Sequence, residues 1–166
     1  MSREPQRVDR PHMPAYGVAA ADEGQGLLDW SWAAERLTTS HHYWLATTWP
    51  DGRPHVMPVW GAWLDDAVWC STSLRSRKYA NLARDPRCTV ATDNAYEPVL
   101  VEGTATVLRD EPSRQRFLDA TNSKYDTKYE LDFFDPEVNA VITIAPLVAI
   151  GLDEADFTGT PTRWHF

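Results

Sequence analysis

The sequence is poor in cysteine, with two in 166 residues. Cys70 and Cys88 lie in separate strand-like apolar runs, without the close spacing of a metal knuckle or a redox pair, and read as buried free thiols. Long apolar runs are missing too. None approaches the ~20 residues that span a bilayer, and the opening MSREPQRVDRPHMP lacks the apolar stretch of a secretory signal, so a cytoplasmic protein away from membranes is expected. Acidic residues outnumber basic ones 24 to 16, and a net charge of −8 repels a phosphate backbone, which excludes nucleic acid as an expected partner. A dinucleotide-binding fingerprint also fails, because GQGLLD at Gly24 lacks its third glycine and a preceding strand. The histidines suggest no metal site: His41 and His42 are adjacent and expected to face apart on a strand, while His12, His55 and His165 stand alone. The acidic pairs Asp22–Glu23, Asp65–Asp66 and Asp153–Glu154 fall in polar, turn-rich segments and read as solvated loops.

What is present is one domain's worth of chain, 43% hydrophobic and 24% charged, with an unusual eight tryptophans. Large rigid aromatics fill cores, line interfaces or stack on flat ligands. Residues 1–26 show no periodicity and read as an arm that orders only by packing on something. The spacing of Trp30, Ala33, Ala34 and Leu37 predicts a short helix from Asp29, a candidate N-cap, to Ser40. HYWLATTW and HVMPVWGAWL flank a Pro-Asp-Gly turn, and AVWCST follows the Asp65–Asp66 turn, giving a three-stranded meander. Ser76 caps a helix to about residue 84, RCTVATD and VLVEGTATVL are two further strands, a helix spans about 111–124, and NAVITIAPLVAIGL is a sixth strand. The expected fold is mainly β, a six-stranded barrel with small helices.

The stretch STSLRSRKYANL carries the chemistry. Arg75, Arg77 and Lys78 crowd a helix N-terminus, where the macrodipole is already positive, and the hydroxyls of Ser71, Thr72, Ser73 and Ser76 add neutral donors. A phosphate bound there would satisfy all of them; the alternative is a solvated loop whose bases pair with nearby carboxylates. In the preceding strand Pro58 lacks the N–H that a central ladder needs, so the strand is an edge or lines an opening. Val59 and Trp60 beside that opening offer apolar contact to a flat heterocycle, although Trp60 and Trp63 also suit plain packing.

Trp44 to Asp93, followed by VLVEGTATVL, resembles the pyridoxamine 5′-phosphate oxidase-like proteins of the flavin-binding split-barrel superfamily. The resemblance covers roughly residues 27–152, as the cofactor-binding domain, with 153–166 as a tail packing near the cofactor site. It implies a six-stranded split barrel, a homodimer and cofactor sites shared between subunits. By the same resemblance Val56, Met57, Pro58, Val59 and Trp60 lie along the ring of FMN or coenzyme F420. Ser71 and Thr72 reach its ribityl chain or phosphate, Ser76, Arg77 and Lys78 clamp the phosphate, and Asn81 supports the clamp. The chain departs from the oxidase proper where Pro58, Trp60 and Gly61 replace a basic residue, and where the C-terminal Arg-and-His substrate signature is not recognisable, so vitamin B6 oxidation is not expected. PDGRPHVMPVW is closer to the deazaflavin-dependent reductase branch. The implied activity is hydride transfer between bound FMN or F420 and a small organic substrate, which needs no protein nucleophile. A non-catalytic cofactor-binding protein and a haem-binding split barrel are the alternatives. The tail ending TRWHF resembles one subgroup, which places Trp164 beside the partner's cofactor; the alternative is a groove of its own subunit.

Overall fold

The computed structural model describes residues 3–20, 23 and 26–166. Asp22 and Gly24, weighed above, lie outside the described residues. Six antiparallel strands close a barrel: β2 (His42–Thr48), β3 (Pro54–Leu64), β4 (Ala67–Ser73), β5 (Arg87–Thr92), β6 (Val99–Leu108) and β7 (Asn139–Gly151), in the cyclic order β7-β4-β3-β2-β5-β6. Three helices accompany them, α1 (Trp30–Thr39), α2 (Arg77–Arg84) and α3 (Glu111–Tyr125). Two short strands, β1 (Arg7–Asp9) and β8 (Thr162–His165), extend the sheet beyond β7 and bring the total to eight. Both lie in segments that the sequence leaves without an element, because each is short and finds its partner across the length of the chain. No helix among the described residues is long and apolar enough to cross a membrane.

The barrel interior is filled by alternate residues of every strand, among them Tyr43, Leu45, Val59, Val68, Cys70, Cys88, Val90, Val101, Ile142 and Ile144, all buried. Burial pushes both free thiols up to about 12, so neither is a nucleophile at neutral pH. Trp30, Ala33 and Leu37 of α1 join this core, and the Tyr43 hydroxyl donates to the Leu37 carbonyl. Asp29 holds the N-cap position of α1, but its carboxylate makes no cap bond. A second core lies outside the barrel, where Phe117 and Leu118 of α3 and Phe134 cover Ala62, Trp69 and Val141.

Two local features set the register. Asp65 and Asp66, both at positive φ (51° and 57°), form the two-residue hairpin turn between Leu64 and Ala67. On the opposite wall the β6–β7 ladder shifts register between Glu102 and Gly103, whose partners are Val148 and Pro146, so Leu147 is the extra residue of a bulge in β7. An added Cβ on Gly103 would sit 2.3 Å from the Ala145 carbonyl oxygen, so only glycine fits there.

Trp164 corrects the expectation for the tail. Strand β8 pairs with β7 of its own subunit, and the Trp164 indole is fully buried, edge-on to Trp30 at 5.5 Å. A side chain already enclosed by its own subunit offers no face to a cofactor. Beside it, Arg163 grips the Asp9 carboxylate through two hydrogen bonds of 2.8 and 3.1 Å, with His165 Nε2 3.1 Å away, and β1 is held to β8 by this cluster. The Arg163 hydrogen bond is the main reason that the Asp9 carboxyl titrates at about 2 instead of 3.8. A carboxylate with a depressed folded-state pKa adds stability above its unfolded value and loses it as pH falls towards the folded one. Asp9→Asn should therefore cost about 1–2 kcal/mol at pH 7. In thermal unfolding the gap from wild type should close as pH falls from 3.8 to about 2.

Candidate functional site

The site begins where β3 and β4 part. The two strands pair only from Leu64–Ala67 to Gly61–Cys70, and the next step, Trp60 opposite Ser71, is not made. Ladder alternation from the hairpin turn directs the N–H groups of Trp60 and Val56 to this vacated side, with Pro58 between them having none to lose. Pro58 pairs with Trp44 of β2 on its other side. The proline thus lines an opening, as its missing N–H suggested.

Across the opening stands the start of α2. The Ser76 hydroxyl accepts from the Tyr79 N–H (3.1 Å) and from Thr72 Oγ1 (2.8 Å), which leaves its own proton free to donate outward. The cap leaves the N–H groups of Arg77 and Lys78 without an intrahelical partner. Among the described residues no carboxylate pairs with Arg75, Arg77 or Lys78. The Arg77 guanidinium lies over the Trp49 ring at 4.0 Å, and Arg53 covers the same ring at 4.7 Å. Three cations without carboxylate partners among the described residues thus form a basic cradle at a helix N-terminus.

The expected site residues divide in two. Pro58, Val59, Trp60, Ser71 and Lys78 line one pocket of about 250 Å³, and Thr72, Ser76 and Arg77 flank it at the α2 cap. Val56 and Met57 are exposed farther along β3. Asn81 turns inward: 1% exposed, it donates from Nδ2 to Thr47 Oγ1 (3.0 Å), so it braces α2 against β2 and does not reach the cradle. His41 and His42 do not face apart; their rings meet edge-on at 4.4 Å beside Tyr125.

Several site residues come from α3 and the segment after it. Phe117 and Thr121 of α3 line the pocket with Phe133 and Phe134. The Tyr125 ring stacks on Trp60 at 4.1 Å and 10°, and its hydroxyl accepts from the Gly61 N–H (2.9 Å) and donates to the His41 carbonyl (2.6 Å). That hydroxyl completes the β2–β3 ladder where β2 has ended. Lys124 Nζ donates to the Gly61 carbonyl (2.7 Å), and burial brings its ammonium down to about 8. An added Cβ on Gly61 would approach the Trp69 carbonyl oxygen to 2.6 Å, so this anchor point requires glycine. The aromatic density of SKYDTKYELDFF is the sequence signal that marks this wall.

A family model for pyridoxamine 5′-phosphate oxidase matches residues 32–151. The chain belongs to the pyridoxamine 5′-phosphate oxidase family. Solved split barrels are similar in fold. A conserved hypothetical protein, Rv2991, of Mycobacterium tuberculosis is 23% identical with a TM-score of 0.71, over 80% of this chain and 89% of that one. An F420 reductase is 24% identical with a TM-score of 0.58, over 69% and 93%. A NimC/NimA family protein of Clostridium acetobutylicum is 15% identical with a TM-score of 0.63, over 81% and 91%. No curated protein matches the chain.

Lys124 supplies a pH test of the β3 anchor. Its folded pKa is depressed, from 10.5 to about 8, so over that interval the unfolded chain binds the extra proton and stability rises with pH. Relative to Lys124→Met, wild type should gain stability between about pH 8 and 10.5, as read by denaturant unfolding.

Proposed function

We propose that the protein is a flavin- or deazaflavin-dependent oxidoreductase, binding FMN or F420 and transferring hydride between it and a small organic substrate. The observation that carries this reading is the unpaired cation cluster at the capped start of α2, opening onto a strand whose backbone has lost its partner. Family membership and the F420 reductase among the similar folds support it.

The residues fit such a cofactor. Arg77 and Lys78, with the Ser76 hydroxyl and the first N–H groups of α2, would hold the phosphate, while Ser71 and Thr72 lie between it and β3. The free backbone groups of Val56, Pro58 and Trp60 would meet the polar edge of the ring, with Val59 behind them in the core. The cofactor supplies hydride chemistry, so the protein's tasks are to hold, orient and keep water from the reacting face. Trp60, fixed by its stack on Tyr125, and Phe133 supply apolar walls for that purpose.

The unit of function in this reading is a homodimer. Trp44, Val56, Pro58 and Trp60 share the outer face of β2 and β3, where Trp44 pairs with Pro58 and Val56 with Ala46. Trp44, Val56 and Trp60 are 46%, 51% and 43% exposed, an apolar face suited to a second copy. A cytoplasmic setting fits the two free cysteines.

Fluorescence titration with FMN and with F420 tests the assignment. Arg77→Ala with Lys78→Ala should weaken binding by about 3–6 kcal/mol, at ~1.5–3 kcal/mol per charge-assisted contact, with the fold retained. Wild-type affinity in the double variant would refute the cradle. Sedimentation should give about twice 18.8 kDa, and Trp60→Glu should yield monomers that bind the cofactor weakly.

A further inference from the structure

The pocket between β3 and α3 is a slot with one closed and one open end. Phe117 and Phe134, each 1% exposed, form its closed end, and Trp60 and Phe133, at 43% and 42%, its open end. Thr121 belongs to the closed end at 3% exposure, and its hydroxyl is buried without a hydrogen-bond partner. A helical threonine usually satisfies its hydroxyl on the carbonyl one turn back. Thr38 and Thr39 of α1 do so, at 2.7 and 2.9 Å. Thr121 does not, although it sits in the middle of a regular helix. A buried hydroxyl left in this state is costly unless something else supplies its partner.

The shape of the slot restricts that partner. At about 250 Å³ it falls below the ~300–1,000 Å³ of sites that enclose whole ligands, so it admits a ring or fused ring pair, not a nucleotide. Aromatic side chains line it, which favours a planar guest. Lys78 lines it as well, so the guest is electron-rich or carries oxygen near the ammonium. We propose that this slot binds one edge of a planar, carbonyl-bearing ring, and that the Thr121 hydroxyl donates a hydrogen bond to the carbonyl oxygen. Such a ring has two sources, the cofactor's own heterocycle or a carbonyl substrate lying beside it. The proposal rests on the oxidoreductase reading only in naming these sources.

Thr121→Val removes the hydroxyl and keeps the branched shape, and Thr121→Ser keeps the hydroxyl. Relief of the orphaned group should leave the ligand-free Val variant melting at or above wild type. Its affinity for one class of probe should fall about tenfold, with the Ser variant near wild type. The probes are lumichrome, which is the flavin ring without ribityl phosphate, FMN and F420 by fluorescence, and cyclohex-2-enone by thermal shift in cofactor-saturated protein. A loss for lumichrome and a cofactor assigns the slot to the cofactor ring; a loss confined to the enone assigns it to the substrate. Unchanged affinity for every probe would overturn the proposal. So would a Val variant that melts lower while Ser restores it, since Thr121 would then serve an internal bond. Wild-type protein that takes up lumichrome or the enone but neither FMN nor F420 would refute the cofactor reading and leave the slot standing.

Discussion

The early parting of β3 from β4 is the constraint on which the rest of the structure depends. The hairpin turn at Asp65 and Asp66 fixes the register, and the ladder then runs for four pairs before Gly61 and Cys70 end it. Beyond that point a closed barrel wall would need the Trp60 and Val56 N–H groups paired, and Pro58 between them has no N–H to contribute. Strand β4 continues instead alongside β7, where Val68 to Ser73 pair with Ile144 to Asn139. Its end delivers Ser71 and Thr72 to the opening and leads directly into the capped start of α2. A single local failure of pairing therefore creates the gap, lines it with free backbone groups and aims a helix N-terminus across it.

Electrostatics sets the gap apart from the rest of the surface. The chain carries a net charge of −8, yet Arg75, Arg77 and Lys78 have no carboxylate partner among the described residues. Three exposed arginines elsewhere are paired with carboxylates, Arg87 with Asp85, Arg116 with Asp65 and Arg53 with Asp51, while Arg84 and Arg109 donate to carbonyl or hydroxyl oxygens. Such surface pairs contribute little to stability, but their contrast with the α2 cluster is informative. Cations left unneutralised beside a positive helix end raise the free energy of the unliganded state, and an anion recovers it. In the proposed reading a small anion is the fitting occupant, since the acidic remainder of the surface repels polyanions.

How much of this was legible in the sequence follows the range of the interactions involved. Ser76 capping α2, the Asp-Asp turn and the period-2 strands are set by residues a few positions apart, and the structure places them as read. Pro58 announced the opening because a missing N–H is a property of one residue. Trp164, Asn81 and the strand Arg7–Asp9 were misplaced or missed because their partners are remote: Trp30 for Trp164, Thr47 for Asn81, and Arg163 for Asp9. Apolar character showed that Trp164 must dock but carried no information about where. Thr121 was hidden for the opposite reason. It sits at helical spacing from Phe117 and reads as ordinary core, and only the absence of a hydrogen bond, which no sequence records, sets it apart.

Helix α3 ties these parts together. Phe117, Thr121 and Tyr125 recur at i, i+4 and i+8, with Lys124 beside them, so one face of the helix carries the slot's closed end and the anchor of β3. Arg116, on the same helix, grips Asp65 at the hairpin turn through bonds of 2.7 and 2.5 Å, while Lys124 and Tyr125 hold Gly61 at the other end of the paired segment. The helix thus spans the whole of the β3–β4 ladder and is fixed at both of its limits. A displacement of α3 along its axis would move the slot wall and the Trp60 indole in concert, because Tyr125 stacks on that indole and bonds to the next residue. The width of the slot and the position of its platform are for this reason one structural variable, set by where α3 rests on the hairpin.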